Sequence, residues 1–156
     1  MTALLNYAKA SPDSYQAMLK FSQHAHQMAL EPALLELVRI RASQLNRCAF
    51  CLDMHTIDAR AAGETEQRLY AVAAWEEAPF FTARERAALA WTEAVTRLSE
   101  AAVPEALYQA TREQFSEKEI VDLTLAIIAI NGWNRLAGVF RTEAGHYQAR
   151  ARAKSA

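Results

Sequence analysis

The chain is predicted to be all-α, a single-domain helical bundle of about seven helices, and three observations point there. Apolar side chains recur at helical spacing over most of its 156 residues. Only four Gly and four Pro interrupt them, too few for the frequent turns of a many-stranded β fold. The interruptions also coincide with helix start and stop signals, at Ser11-Pro12, Pro32, Gly63, Thr82, Pro104 and Ser116. The length suits one hydrophobic core, so residues 1–156 are taken as one domain, with 146–156 as a basic, Ala-rich tail, frayed or docked as a helix on a partner. A net charge of −1 gives no footprint for nucleic acid. Met1-Thr2-Ala3-Leu4-Leu5-Asn6-Tyr7 has neither the basic nor the long apolar region of a signal peptide, so a cytoplasmic location is the expectation.

Ser11 caps a first helix with Pro12 at its first position, where the missing N–H costs nothing. Tyr15, Met18, Leu19, Phe21 and Met28 give it an apolar pattern. His24 and His26 stand two apart and point to different faces, which suits solvent or a partner better than a shared metal. Pro32 opens a second helix over 32–46. Leu34, Leu35, Val38, Ala42 and Leu45 form one stripe, and Leu37 and Ile40 begin a second. Two apolar faces predict packing on two sides, with Glu36 either partly buried or exposed and paired with Arg39.

Asn46-Arg47 turns the chain into a third helix over 48–62, stopped by Gly63. A short helix over 66–75 follows Thr65 and is broken at Glu76-Glu77-Ala78-Pro79. Thr82-Ala83-Arg84-Glu85 is a capping box opening a helix that carries Leu89, Trp91, Val95 and Leu98. Pro104 starts a short helix to about Phe115, and Ser116-Glu117-Lys118-Glu119 is a second capping box. It opens the most apolar run, Ile120 to Ile130, apolar nearly all round and therefore a buried helix or an oligomer contact. Asp122 and Asn131 interrupt it, and it is read as too short to span a bilayer. Asn131 and Asn134, beside Trp133, need hydrogen-bond partners if buried.

The chemistry concentrates in Cys48-Ala49-Phe50-Cys51-Leu52-Asp53-Met54-His55, which holds both cysteines of the chain. On a helix, Cys51 and His55 lie about 40° and 6 Å apart, and Cys48 lies about 60° and 4.5 Å from Cys51. A thiol thus has a base beside it and a second thiol within disulfide reach. The dipole at the helix start favours a thiolate at Cys48, usually the more exposed thiol of such a pair, whereas His55 stands nearer Cys51. The residues alone leave their division of labour open.

Glu36, eleven intervening residues, Cys48-x-x-Cys51 and three more to His55 resemble the core of the alkylhydroperoxidase-D-like (AhpD-like) family of the carboxymuconolactone decarboxylase superfamily. Leu37-Val38-Arg39-Ile40-Arg41-Ala42-Ser43-Gln44, Thr82 to Ala90 and Ile130-Asn131-Gly132-Trp133-Asn134-Arg135 are also similar, and the resemblance covers about residues 30–140. One departure is Phe50, where some relatives carry His between the cysteines. The resemblance implies a homo-oligomer (dimer, trimer or hexamer) and a thiol-dependent peroxidase or disulfide reductase serving antioxidant defence. It makes Cys51 the peroxidatic thiol, Cys48 the resolving one, and His55 and Glu36 a proton relay. It implies no bound cofactor, and a dithiol, a lipoylated protein or a peroxiredoxin as redox partner. Neither a Rossmann nor a flavin fingerprint occurs in the sequence, so electrons would come from such a partner.

Four alternatives compete. Cys48, Cys51, His55 and Glu36 could ligate zinc, although structural zinc usually draws on two separated pairs. Lactone decarboxylation, the other activity of the superfamily, needs no thiol pair. The same thiols could serve a redox sensor or an oligomeric interaction protein without turnover. Both cysteines could also be plain core residues, since free Cys is among the most buried types.

Overall fold

The structure, a computed structural model, describes residues 2–26 and 28–149. Among them are eight α-helices and one 3₁₀ turn, and no strand. The order is α1 (Tyr7–Ala10), α2 (Pro12–His26), α3 (Pro32–Leu45), α4 (Ala49–Ala61), α5 (Glu66–Ala71) running into the 3₁₀ turn Val72–Ala74, α6 (Ala83–Thr96), α7 (Glu105–Arg112) and α8 (Glu117–Phe140). Helix α1 is the element the apolar pattern does not show. It is one turn long and is held by its cap, Asn6, whose Oδ1 accepts the Lys9 amide at 3.0 Å. Of the expected tail, residues 150–156 lie outside the described residues, and 146–149 are not helical.

Helix α3 is the centre of the packing, in contact with α4, α6 and α8. Its two apolar faces enter two separate cores, as the pattern predicts. Leu34, Leu35 and Val38 meet Leu123 and Ile127 of α8 and Trp91 of α6. Leu37 and Ile40 meet Leu69, Val72, Trp75 and Leu89 on the other side. Each buried Leu or Ile here is worth about 1.5–3 kcal/mol relative to exposure, which fixes the orientation of α3.

Both capping boxes form. The Thr82 and Ser116 hydroxyls accept the Glu85 and Glu119 amides, and each Glu reaches back to its cap amide at 2.8 Å. The Ser116 amide, the Arg84 guanidinium and the Ser116 hydroxyl together hold the Glu119 carboxyl down at about 2 from 4.5. A depressed carboxyl stabilises the fold above its ordinary value and loses that contribution as pH falls toward the lowered one. Glu119→Gln is therefore expected to be less stable than the parent at pH 6, with the difference shrinking below about pH 4.5 and gone near pH 2. Urea unfolding at stepped pH measures this.

Two expectations are corrected. Leu98 lies beyond the end of α6 at Thr96 and is exposed, because the helix stops before that face can turn inward. The other is the expectation that the Ile120–Ile130 stretch is too short to span a bilayer, since the helix that carries it continues through Gly132 to Phe140. At 24 residues α8 is long and apolar enough to cross a membrane by length and composition. It packs here as a core helix, with Leu123, Ala126, Ile127 and Ile130 buried and Val121 and Ile128 exposed. Gly132 is tolerated within it because Met18 of α2 packs against its bare Cα; an added Cβ would stand 2.6 Å from the Met18 methyl.

Candidate active site

The amides of the α8 sequence have the partners they need, and those partners set the thiols in place. Asn46, just after α3, donates to Asn131 Oδ1 at 2.7 Å and Asn134 Oδ1 at 2.9 Å. Asn134 donates to Ser43 Oγ at 3.0 Å, and Asn131 to Thr96 Oγ1 at 3.1 Å. The end of α3 is thereby fixed to α8 immediately before the cysteines. Arg47 then turns the chain in the left-handed region, at φ 54°, and the Cys48 amide closes on Ser43 O at 3.0 Å. A non-glycine residue there bears a strain of about 1–2 kcal/mol.

Cys48 becomes the N-cap of α4, and its sulfur accepts the Cys51 amide at 3.3 Å. The expected third helix thus begins at Ala49, and Gly63 follows its end at φ 102°. Cys48 and Cys51 are joined as a disulfide with Cα atoms 5.3 Å apart. Cys48 is the more exposed thiol of the pair, as expected, but only marginally, and both are buried. Cys48 is 4% and Cys51 1% exposed, because α4 and α8 close over the cap with Ile130, Ala137, Phe50 and Trp133.

Cys51 and His55 both line a cavity of about 560 Å³; Cys48 does not. The cavity lies between α2 and α4, with α8 as its floor, Glu36 and Arg39 reaching in from α3, and Tyr7 and Tyr147 at its edge. One turn of helix separates Cys51 from His55, so the spacing had already put them on one face.

Glu36 is partly buried, as the first of its two alternatives has it, and it is paired with Arg39 there and not at an exposed surface. Its Oε1 accepts Arg39 Nη1 at 2.5 Å, and its Oε2 accepts His55 Nδ1–H at 2.9 Å. Arg39 is 6% and His55 7% exposed, so the ion pair and the hydrogen bond are both shielded from water. Burial pushes the Glu36 carboxyl up, but the His55 hydrogen bond and charge, with the Arg39 guanidinium, outweigh it and hold the pKa below the ordinary carboxylate value. Glu36 therefore remains an anion that fixes the imidazole by Nδ1 and leaves Nε2 for the cavity. All four predicted residues, Glu36, Cys48, Cys51 and His55, are brought together across α3 and α4.

Three residues of the site escaped the sequence reading. Arg39 entered it only as a surface partner for Glu36. Asp58 lies three residues after His55 and seven after Cys51, a spacing that would have placed it on the same face. Tyr147 had no sequence signal at all. The chain after α8 doubles back over α4, where Gly145 N donates to Asp53 Oδ2 at 2.8 Å. The Tyr147 hydroxyl donates to Asp58 at 2.8 and 2.9 Å, and its ring lines the cavity. His24 is exposed, as expected. Among the described residues no group of three or more His, Cys, Asp or Glu is placed to hold a metal ion, so the zinc alternative gains no support.

The sequence pattern of the carboxymuconolactone decarboxylase family matches residues 12–94. The chain is 42% identical over 137 residues to the uncharacterized protein YdfG of Bacillus subtilis, covering 88% of this chain and 93% of that protein. A crystal structure from Agrobacterium tumefaciens superposes with a TM-score of 0.91 at 40% identity, covering 94% of this chain and 100% of the other. That protein is of unknown function and provisionally named as the antioxidant defence protein AhpD. An uncharacterized peroxidase-related protein of Ralstonia eutropha, described as an alkylhydroperoxidase AhpD core, shares the fold at TM-score 0.79 and 22% identity, over 89% of this chain and 74% of that one.

Proposed function

This chain belongs to the carboxymuconolactone decarboxylase family, with an AhpD-like fold, and we propose that it is a thiol-dependent peroxidase. Cys51 is the thiol that meets the peroxide, Cys48 resolves it, and His55 with Glu36 moves the proton. The observation that carries this is the convergence of Cys51 and His55 on one cavity, with His55 Nδ1 held on a partly buried carboxylate at 2.9 Å. A nucleophile beside a base that a third group orients is the arrangement activated nucleophiles use.

In the reduced protein His55 Nε2 takes the Cys51 proton or, as imidazolium, stabilises the thiolate. The thiolate attacks the distal peroxide oxygen. The O–O bond breaks, an S–O bond forms, and the alkoxide leaves as an alcohol with the proton from His55. Cys51 is now a sulfenic acid, oxidised by two electrons, and the peroxide is reduced by two. The Cys48 thiolate, favoured at the start of α4, attacks that sulfur, the S–O bond breaks, and the leaving hydroxide takes up the proton Cys48 gave up and departs as water, giving the disulfide. A dithiol closes the cycle by exchange, becoming a disulfide itself. A lipoylated protein or a peroxiredoxin would fill that role in a cytoplasmic protein, and assembly as a homo-oligomer belongs to the same proposal.

The test is to reduce the protein, remove the reductant and add one equivalent of an organic hydroperoxide. Two thiols per chain should disappear together, and repeated turnover should follow when dithiothreitol is supplied. Thiols that stay reduced would overturn the proposal. Loss of both thiols without sustained turnover would favour the redox-sensor alternative.

A further inference from the structure

We infer that the cavity beside Cys51 selects a neutral, ring-bearing organic hydroperoxide over hydrogen peroxide and over carboxylate-bearing lipid hydroperoxides. This rests on the peroxidase function proposed above and specifies its substrate.

Size is the first observation. Hydrogen peroxide needs little more space than the roughly 30 Å³ of a water molecule. The cavity holds about 560 Å³, within the roughly 300–1,000 Å³ of sites that enclose drug-sized ligands. The room comes from the floor, where α8 turns Ala126, Ala129 and Ala137 toward the cavity while Ile127 and Leu123 fill the core behind.

The walls are the second observation. Tyr15 of α2, Phe50 of α4, Trp133 of α8 and Tyr147 of the returning chain present rings from four separate elements. Tyr15 and Trp133 already meet edge to face, with centroids 5.7 Å apart and planes at 73°. Such walls offer a further ring both faces and edges, the geometry aromatic groups prefer.

Charge is the third. The Glu36 carboxylate is matched by Arg39 at 2.5 Å. Asp58 is held by the Tyr147 hydroxyl, and no cation among the described residues pairs with it. Asp58 is thus the carboxylate of the lining without a cationic partner among the described residues, and a carboxylate on a ligand seated beside it would be opposed by like charge.

The experiment measures kcat/KM with dithiothreitol as reductant for cumene hydroperoxide, hydrogen peroxide and linoleic acid hydroperoxide. Cumene hydroperoxide should lead each of the others by about tenfold or more, the scale on which a shaped apolar pocket discriminates. Ala129→Phe fills the floor and should cut the ratio of cumene to hydrogen peroxide by about tenfold. Tyr147→Ala, which removes an aromatic wall outside the core, should lower the same ratio and serves if the first variant does not fold. Asp58→Asn should raise linoleic acid hydroperoxide relative to cumene hydroperoxide by about threefold or more. Hydrogen peroxide or linoleic acid hydroperoxide used as well as cumene hydroperoxide would overturn the inference, as would ratios unmoved by these variants. Thiols untouched by all three oxidants would instead overturn the peroxidase function on which it rests.

Discussion

Cys51→Ser is expected to lose peroxide consumption by about a thousandfold or more, the scale on which removal of a nucleophile acts. Cys48→Ser should behave differently. Its Cys51 should still react with one equivalent of hydroperoxide at a rate near the parent's, and then stop. The asymmetry follows from placement. Cys51 lines the cavity with His55, whereas Cys48 stands behind it as the cap of α4 and does not reach the cavity. Without Cys48 the sulfenic acid has no thiol to condense with, so dithiothreitol would restore turnover only slowly and excess peroxide would drive Cys51 to sulfinic acid. Stopped-flow measurement of the first turnover separates the two variants. Equal loss in both would mean that the two thiols act as a unit with no division of labour.

Glu36→Gln is the second large effect. The carboxylate accepts from Arg39 and from His55 with its two oxygens, so the amide of Gln, with one oxygen and no charge, can keep at most one of the two contacts. Activity should fall by about a hundredfold to ten-thousandfold, the range for general acid–base catalysis. Stability should fall by about 1.5–3 kcal/mol, since a guanidinium that is 6% exposed loses its charge-assisted hydrogen bond to Glu36. The pH dependence gives a separate check. The Glu36 pKa lies below its ordinary value, so its contribution is fully present above about pH 4.5 and is lost as pH falls through the lowered pKa. That part of the acid destabilisation should be missing from Glu36→Gln. Urea titrations of both proteins between pH 3 and 7 would show it.

The candidate site was legible in the sequence to an unusual degree because most of it is local. Cys48, Cys51 and His55 sit on consecutive turns, where helical geometry alone fixes their relation. Glu36 needed the resemblance, since nothing in its spacing says that α3 and α4 pack with their ends in register. The structure supplies the cause in Asn46, which ties the end of α3 to Asn131 and Asn134 just before the thiols. The capping boxes at Thr82 and Ser116 were equally plain, being contacts three residues apart.

What the sequence hid was of longer range. Tyr147 acts on a residue 89 positions away, and only the turn after α8 brings it there. The cavity is a gap between α2 and α4, and no pattern within either helix reports what they leave open between them. The near-complete burial of both cysteines has no signal in the sequence either: a helix start is exposed by default, and here α8 covers it. The full length of α8 is not plain in the apolar pattern, because Asn131, Gly132 and Asn134 interrupt it while the helix runs on to Phe140. A glycine within a helix costs only about 1 kcal/mol, and here it gives Met18 of α2 room to pack against the helix.

The central claim, that Cys51 attacks peroxide, is tested most directly by trapping its first product. Reduced Cys48→Ser would be mixed with one equivalent of cumene hydroperoxide in the presence of dimedone, digested and analysed by mass spectrometry. The account predicts a dimedone adduct on Cys51, formed within the time of the first turnover. A Cys51 that stays a free thiol, while Cys51→Ser treated in parallel carries the adduct on Cys48, would contradict it.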